Sequence, residues 1–278
     1  MPRSMWKGAI SFGMVSIPIR LYTATDSKDV SFHLLHTKDN SRIKQQRWCP
    51  VDEETIEWGD VVRGYEYGPD QYVVMTEEDF QKVPVKTVRT IEIEQFVELE
   101  EIDPVYYEKS YYIEPEELGK KPYALLMRTL QQTNRVAVAK VALRNKEQLC
   151  TLRPRGDVIV METMFYPDEV KATTELNLPA EDIEVSEREL TMAKLLVDTM
   201  TSEFQPAQYR DEYRQALLQL IEEKVQGTEV VRPMPAAGKI TDLMTALKAS
   251  IEAAKKDRGA AEEEPEVGTA SRRRKQAG

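Results

Sequence analysis

Nine lysine and arginine residues lie within residues 120–155, where the only acidic residue is Glu147. The segment therefore has a local charge of +8, although the chain as a whole has a net charge of −10. Cations held on a folded scaffold attract phosphate groups and other anions. The pattern predicts a binding surface for a polyanion such as nucleic acid.

The charge is segregated along the whole chain. Residues 1–50 contain eight basic and three acidic residues, whereas residues 51–119 contain five basic and twenty acidic residues. Any one such block could be an ordinary solvent-exposed surface whose charge has no function. Two basic blocks separated by an acidic one favour a single surface lined with cations. The acidic rest of the chain would repel a polyanion from everywhere else.

Motifs typical of catalysis are absent from the sequence. It has no phosphate-binding P-loop, no GxGxxG after a strand, no HExxH and no nucleophile elbow. His33, His36 and Cys49 could ligate a metal, but no CxxC pair accompanies them, and a partly buried pair of histidines is the simpler interpretation. We therefore expect a binding module that is not an enzyme, with no cofactor and no metal.

Composition sets broad limits on the class of protein. A hydrophobic content of 41% supports a sizeable core, and two cysteines are too few for a disulfide framework. The apolar runs are too short to span a bilayer, and the N-terminus does not resemble a signal peptide. We expect a cytoplasmic protein with no membrane association.

The first half of the chain is dominated by strand patterns. Residues 9–22 alternate between apolar and polar, with a slip at Gly13-Met14 that predicts a bulge or a sharp bend between two strands. Residues 30–48 suit a hairpin. A strand over 72–75 leads into a short helix with a Thr76/Asp79 capping box.

The basic segment and its surroundings predict further strands and one helix. Strands are expected near residues 91–96 and 105–113, and a helix from about Pro122 to Asn134. The tyrosines of residues 105–113 could stack on bases, but packing within a sheet is favoured. Strands follow at residues 136–143, 148–152 and 158–166, so the cations lie on a helix and a hairpin.

From residue 179 the pattern becomes helical. A Ser186/Glu189 capping box begins a helix with an apolar stripe of Leu190, Ala193, Val197, Met200 and Phe204. A second helix is predicted over 207–226. Together the two helices suggest a packing or dimerisation arm.

The chain after residue 227 has three parts. Residues 228–239 look like a linker, and residues 240–254 form an amphipathic helix that could lie in a groove of a partner. The sequence from residue 256 is of low complexity and is expected to be disordered.

Several long segments follow one another in a recognisable order. They are WxGxIxFG at Trp6–Gly13, VxIPI at Val15–Ile19, FHLLH at Phe32–His36, RIKQQRWCP at Arg42–Pro50, GYEY and YVV within Gly64–Val74, IDPVYYEKSYYIEP at Ile102–Pro115, AVAKVALRNKEQL at Ala137–Leu149 and DEYRQALLQLIEEK at Asp211–Lys224. Together these segments resemble the bacterial Ku proteins of DNA double-strand-break repair. The chain differs from many members where Pro-Val-Asp follows Cys49, since those members often have a second cysteine there. It also has a short basic cluster at residues 272–275.

The resemblance implies a mixed α+β fold. A β-barrel core with strand arms would form a dimeric, DNA-encircling ring, followed by a helical C-terminal region. The corresponding domains are a core over 1–178, a helical arm over 179–227, a linker over 228–239, and a C-terminal helix and tail over 240–278. The implied function is sequence-independent binding of double-stranded DNA ends in non-homologous end joining. The implied partners are a second copy of the chain and an ATP-dependent DNA ligase, ligase D, and the implied location is the bacterial nucleoid.

Two sets of site residues follow from combining the charge pattern with the resemblance. The candidates for the DNA-binding lining are Lys7, Arg20, Arg42, Lys44, Arg47, Arg128, Arg135, Lys140, Arg144, Lys146, Arg153 and Arg155. The candidates for ligase binding on the C-terminal helix are Ile240, Leu243, Met244, Leu247 and Ile251.

Two functions of other classes remain open at this point. The first is a lyase that acts on damaged DNA ends through a lysine amine such as that of Lys140. The second is a protein-interaction scaffold that needs no DNA.

Overall fold

The computed structural model describes residues 3–83, 89–143, 146–179, 183–227 and 243–262. The chain divides into two compact units, Met1–Glu175 and Leu176–Gly278. Its strands are β1 (Trp6–Phe12), β2 (Val15–Thr23), β3 (Trp48–Cys49), β4 (Glu54–Thr55), β5 (Arg63–Gly68), β6 (Gln71–Met75), β7 (Thr90–Glu98), β8 (Tyr107–Pro115), β9 (Arg135–Leu143), β10 (Lys146–Arg155) and β11 (Val158–Met164). Its α-helices are α1 (Glu77–Lys82), α2 (Lys120–Thr133), α3 (Glu187–Met200), α4 (Glu212–Val225) and α5 (Leu243–Glu262).

The first unit contains a closed β-barrel of seven strands in the order β1-β2-β8-β11-β10-β9-β7. All neighbouring pairs are antiparallel except β1 and β7, which close the barrel in parallel. Alternate side chains point inward, as strand geometry requires. On β9 the inward residues are Ala137, Ala139, Val141 and Leu143, and all four belong to the buried core.

The β1–β2 hairpin explains the change of phase in the sequence. The register Phe12↔Val15 leaves Gly13 and Met14 as a two-residue turn, with Gly13 at φ +59°. Glycine suits this position because its backbone adopts positive φ without steric cost. The sequence predicted either a bulge or a sharp bend at this point, and the structure shows a sharp bend.

Helix α2 completes the barrel core with one apolar face. Leu126 and Leu130 are buried in the same cluster as the barrel interior, and the helix packs against β2, β9 and β10. It ends as predicted at Asn134, which has a left-handed conformation. The hydroxyl of Tyr123 donates to the carbonyl of Ile113 at 3.0 Å and accepts from the amide of Ile159 at 2.7 Å.

Cys150 is fully buried inside the barrel. Burial raises the pKa of its thiol far above the usual range, because a thiolate would lose its hydration there.

An arm, residues 24–89, separates β2 from β7. It contains the small β3–β4 and β5–β6 hairpins and helix α1, whose Thr76/Asp79 capping box is confirmed. None of the described residues of β3–β6 is buried. The hairpin predicted over 30–48 has only an isolated Leu35↔Arg42 bridge, so it is a turn rather than a pair of strands.

The second unit contains helices α3, α4 and α5. The Ser186/Glu189 capping box begins α3 as predicted, but the helix ends at Met200, so Phe204 of the predicted stripe lies beyond it. Helix α4 begins at Glu212 rather than near residue 207, because Asp211 caps it and a 3-10 turn occupies Pro206–Gln208.

Helix α5 packs against α3. It continues to Glu262, so residues 256–262, which were expected to be disordered, are helical. The linker of residues 228–239 and the tail after residue 262 lie outside the described residues. In the part of the chain that the structure describes, no helix is both long enough and apolar enough to cross a membrane.

Replacing Tyr123 with phenylalanine should destabilise the protein by about 1–3 kcal/mol, because a buried amide and a buried carbonyl lose their partner. Urea unfolding followed by circular dichroism measures this change. Tyr111→Phe is the matched control, since Tyr111 is also buried in the barrel, but its hydroxyl forms no hydrogen bond with any residue that the structure describes. Equal stability of the two variants would contradict the role assigned to the Tyr123 hydroxyl.

Candidate nucleic-acid interface

Strand pairing brings part of the predicted lining together on the outer wall of the barrel. Lys7 of β1 lies directly opposite Arg20 of β2, and Arg20 lies opposite Glu114 of β8. The next row contains Tyr22, Tyr112, Val160 and Arg153 on four neighbouring strands. We call this surface of β1, β2, β8, β11 and β10 the outer strip. Neighbouring strands lie about 4.8 Å apart, so the strip is roughly 19 Å wide.

Glu116 holds the first two cations of the outer strip. Its Oε1 is 2.9 Å from Lys7 Nζ and 3.1 Å from Arg20 Nε. Like charges directly opposite one another on two strands repel, so a shared carboxylate offsets this repulsion. The hydrogen bond from Lys7, followed by that from Arg20, lowers the pKa of Glu116.

Arg153 is held more tightly than the other cations of the strip. Its Nε and Nη2 donate to the two carboxylate oxygens of Glu162 at 2.7 and 2.8 Å, a bidentate pair. The two side chains are only 28% and 12% exposed. This arginine therefore has a structural role on the barrel wall, and any contact with DNA would have to compete with Glu162.

Arg155 has a neutral partner instead of a carboxylate. Its Nη1 donates to the hydroxyl of Tyr112 at 2.9 Å. The charge of Arg155 therefore remains available to an anion. The adjacent tyrosines of β8 point in opposite directions: Tyr111 is buried in the barrel, as sheet packing predicts, and Tyr112 lies on the outer strip.

Three cations of the basic segment lie elsewhere on the barrel. Lys140 is opposite Glu92 and lies 4.0 Å from Glu94, and Lys146 forms an ion pair with Glu169 at 3.2 Å. Arg135 begins β9 opposite Glu98. The acidic residues are therefore mixed with the basic ones in space, which differs from their separation along the sequence.

The arm carries three cations of the predicted lining that are available to an anion. Among the described residues, Arg42, Lys44 and Arg47 form no ion pair, and Arg128 on α2 also forms none. The guanidinium of Arg47 lies 4.0 Å from the ring centroid of Trp58, a cation–π contact that fixes its position. Arg144 lies outside the described residues.

The metal interpretation finds no geometric support. His33 and His36 are exposed rather than partly buried, and the ring of His36 contacts Asp39 at 3.2 Å. Cys49 contacts Asp52 at 3.0 Å. The described residues contain no group of three or more side chains able to hold a metal ion together.

The residues predicted to bind a ligase are only partly accessible. Leu243 is exposed, Met244 and Leu247 are half-buried, and Ile251 is buried. Ile240 lies outside the described residues. Sequence reasoning placed this helix apart from the rest of the chain, whereas in the structure it packs against α3.

Sequence reasoning also missed Glu116 and Tyr112 as members of the surface. The alternation of β8 could have placed Tyr112 outside the barrel, because it is adjacent to the inward Ile113. Glu116 gave no such signal, since Lys7 is far away along the chain.

Lys7→Ala should raise the pKa of Glu116 towards that of a free glutamate, since the largest cause of the lowered pKa is removed. A carboxyl whose pKa is lowered by folding stabilises the fold above its unfolded pKa, and this stabilisation is lost as the pH falls through the folded value. Carbon-detected NMR titration of the Glu116 carboxyl measures the shift. Lys121→Ala is the control, and an unchanged Glu116 pKa in Lys7→Ala would contradict the ion pair.

Comparison with known protein families gives a match over most of the first unit. Residues 11–192 match the family model described as the Ku70/Ku80 beta-barrel domain. The match includes six of the seven barrel strands in full and the last two residues of β1.

Relatives described as "Non-homologous end joining protein Ku" match over a longer range. The protein from Frankia casuarinae is 47% identical over 258 residues, and that from Heliobacterium modesticaldum is 44% identical over 255 residues. The protein from Archaeoglobus fulgidus is 41% identical over 253 residues. These matches cover 92%, 91% and 91% of this chain and 65%, 92% and 100% of the relatives, respectively.

The chain covers 65% of the Frankia casuarinae protein and 65% of the relative from Symbiobacterium thermophilum. It therefore spans less than two thirds of these two longer proteins.

The closed barrel, the family model and the relatives agree, and the chain belongs to the Ku family.

Proposed function

We propose that the protein binds double-stranded DNA ends as a homodimeric ring in non-homologous end joining, and that it recruits an ATP-dependent DNA ligase. The names of its relatives support the pathway, since they are described as non-homologous end joining proteins. The observation that carries the proposal is the arm, which combines free cations with a large uncovered apolar surface.

The apolar surface of the arm supports dimerisation. Its exposed side chains include Phe32, Leu34, Trp48, Trp58, Tyr65, Tyr72 and Val74. Exposed apolar side chains in this number on one segment are a mark of contact with another molecule. A second copy of the chain would cover it by an isologous contact, the commonest kind of interface in homo-oligomers.

The cations support binding to the DNA backbone rather than to bases. Arg42, Lys44 and Arg47 lie on an arm that would close over the duplex, and Lys7, Arg20 and Arg155 lie on the rigid barrel. Phosphate contacts fix the position of a protein on DNA without reading its sequence. Ends are then preferred because a closed ring threads onto DNA only where the duplex terminates.

The proposal assigns the protein a binding role rather than a catalytic one. Lys140, the residue considered for a lyase, lies on the outer wall of the barrel beside Glu92 and Glu94. No observation favours that activity or a scaffold that needs no DNA. Ligase recruitment is assigned to the amphipathic helix α5, on which Leu243, Met244, Leu247 and Ile251 form the apolar face.

We expect stable binding to linear duplex DNA and little binding to covalently closed circles of the same sequence. A band-shift series at increasing salt measures both, and log affinity should fall with log salt at about −0.9 per phosphate neutralised. The linear substrate is the same circle cut once by a restriction enzyme, so the two DNA molecules differ only in having ends. Equal retention on linear and circular DNA would contradict the ring.

We expect the double substitution Arg42→Gln/Lys44→Gln to weaken binding to all sequences alike. The salt slope should also become shallower by about 2, one for each phosphate that is no longer neutralised. Lys120→Gln/Lys121→Gln is the control, because it removes the same charge from residues outside the proposed lining. The assignment of DNA contacts to the arm fails if both double variants bind equally well.

A further inference from the structure

The apolar surface of helix α3 is only partly covered. On one side Met192, Ala193 and Leu196 are half-buried, at the i, i+1, i+4 spacing of a single helix face. Leu190, Val197 and Met200, which belong to the predicted apolar stripe, are 40%, 64% and 65% exposed. Of the stripe residues within the helix, only Ala193 is half-buried. We call the half-buried surface of Met192, Ala193 and Leu196 the inner face of α3.

Helix α5 is the element that packs against α3. Its half-buried and buried residues Met244, Leu247, Ile251 and Ala254 recur at intervals of three and four, so they share one face. Ile251 is only 5% exposed, and it is the one described residue of the second unit whose side chain is buried. The face of α5 turned towards α3 is thus its apolar face.

The same side chains are required for two contacts. Met244, Leu247 and Ile251 belong to the face through which α5 is proposed to bind a ligase, and in the structure this face is withdrawn from solvent. A side chain buried between two helices cannot also fill a groove on another protein. The contact with α3 and the contact with a ligase therefore exclude one another.

The contact is small enough to be reversed. None of the side chains of α3 is fully buried, and Leu243 at the start of α5 is exposed. Residues 201–242 connect α3 to α5 in the same chain, so docking is intramolecular. A tether raises the effective concentration of α5 near α3, which favours a contact that would be weak between separate molecules.

We propose that the inner face of α3 is a docking site for α5 of the same chain, and that α5 must leave this site to bind the ligase. The docking stands on the structure alone, whereas its effect on the ligase rests on the proposed function. Docking lowers the apparent affinity for the ligase to the intrinsic affinity multiplied by the fraction of molecules in which α5 is free.

Amide hydrogen exchange on the full-length protein tests the docking without DNA or ligase. Amides of residues 247–255 should exchange at least about tenfold more slowly in the native chain than in Leu196→Glu, because the glutamate disrupts the inner face. Ile251→Glu should have the same effect from the other helix. This second variant leaves α3 unchanged in sequence, so a folding defect of α3 cannot explain both results.

Each variant has a matched control that adds the same charge beside the contact. Thr191→Glu lies on an exposed position of α3, and Ser250→Glu lies on an exposed position of α5. Both should keep the slow exchange of the native chain. Fast exchange of α5 in the native chain, or an equally fast exchange in the controls, would overturn the docking. Protection that disappears on dilution would place α5 on a second copy and would also overturn it.

The ligase step is tested by binding of an ATP-dependent DNA ligase to the protein on linear duplex DNA. Leu196→Glu should bind the ligase several-fold more tightly than the native chain, with unchanged DNA affinity in the band shift. Fast exchange of α5 without tighter ligase binding would overturn the competition. Absence of ligase binding by both proteins would instead contradict the recruitment in the proposed function, while the exchange data alone decide the docking.

Discussion

The parallel pairing of β1 with β7 is the constraint on which the first unit depends. β1 pairs with β2 on one side and with β7 on the other, through Ala9↔Thr90, Ile10↔Ile91 and Ser11↔Glu92. β2 ends beyond the N-terminal end of β1, whereas β7 begins level with Ala9 in the middle of β1. The two ends of the arm are therefore about 10 Å apart across the sheet and about 17 Å apart along the strands. The barrel fixes both points, so it sets where the arm leaves and where it returns.

The barrel wall and the arm present their cations in different ways. On the wall, carboxylates from distant strands hold Lys7, Arg20 and Arg153 in place, which fixes their geometry but reduces the net charge. On the arm, Arg42 and Lys44 have no such partner among the described residues, and only Arg47 is fixed, by Trp58. A duplex in contact with both would meet an ordered but largely neutralised wall on one side and a more strongly charged arm on the other.

Much of the fold could be predicted from the sequence because its signals are local. The alternation in β9, the left-handed Asn134 and the capping boxes at Thr76 and Ser186 each depend on residues a few positions apart. The pairing of Lys7 with Glu116 could not be predicted, because it depends on strand register. The covered part of α3 also could not, since its apolar surface is wider than the covered part and periodicity does not show which part has a partner.

The separation of charge along the sequence was a useful guide to nucleic acid but a poor guide to geometry. Acidic residues from β8 and β11 lie among the basic residues of the outer strip once the strands pair. The interpretation of the acidic segments as a repulsive exterior is therefore too simple. They also supply the counter-charges that hold the barrel cations in place.

An oxidant would encounter the two thiols of this protein very differently. Cys150 is enclosed by the barrel, and burial keeps its thiol protonated, which makes it a poor nucleophile. Cys49 lies on the arm, half-buried and in contact with Asp52. Oxidative damage to cysteine would thus reach the arm and leave the barrel intact, so the scaffold would survive chemistry that also breaks DNA strands.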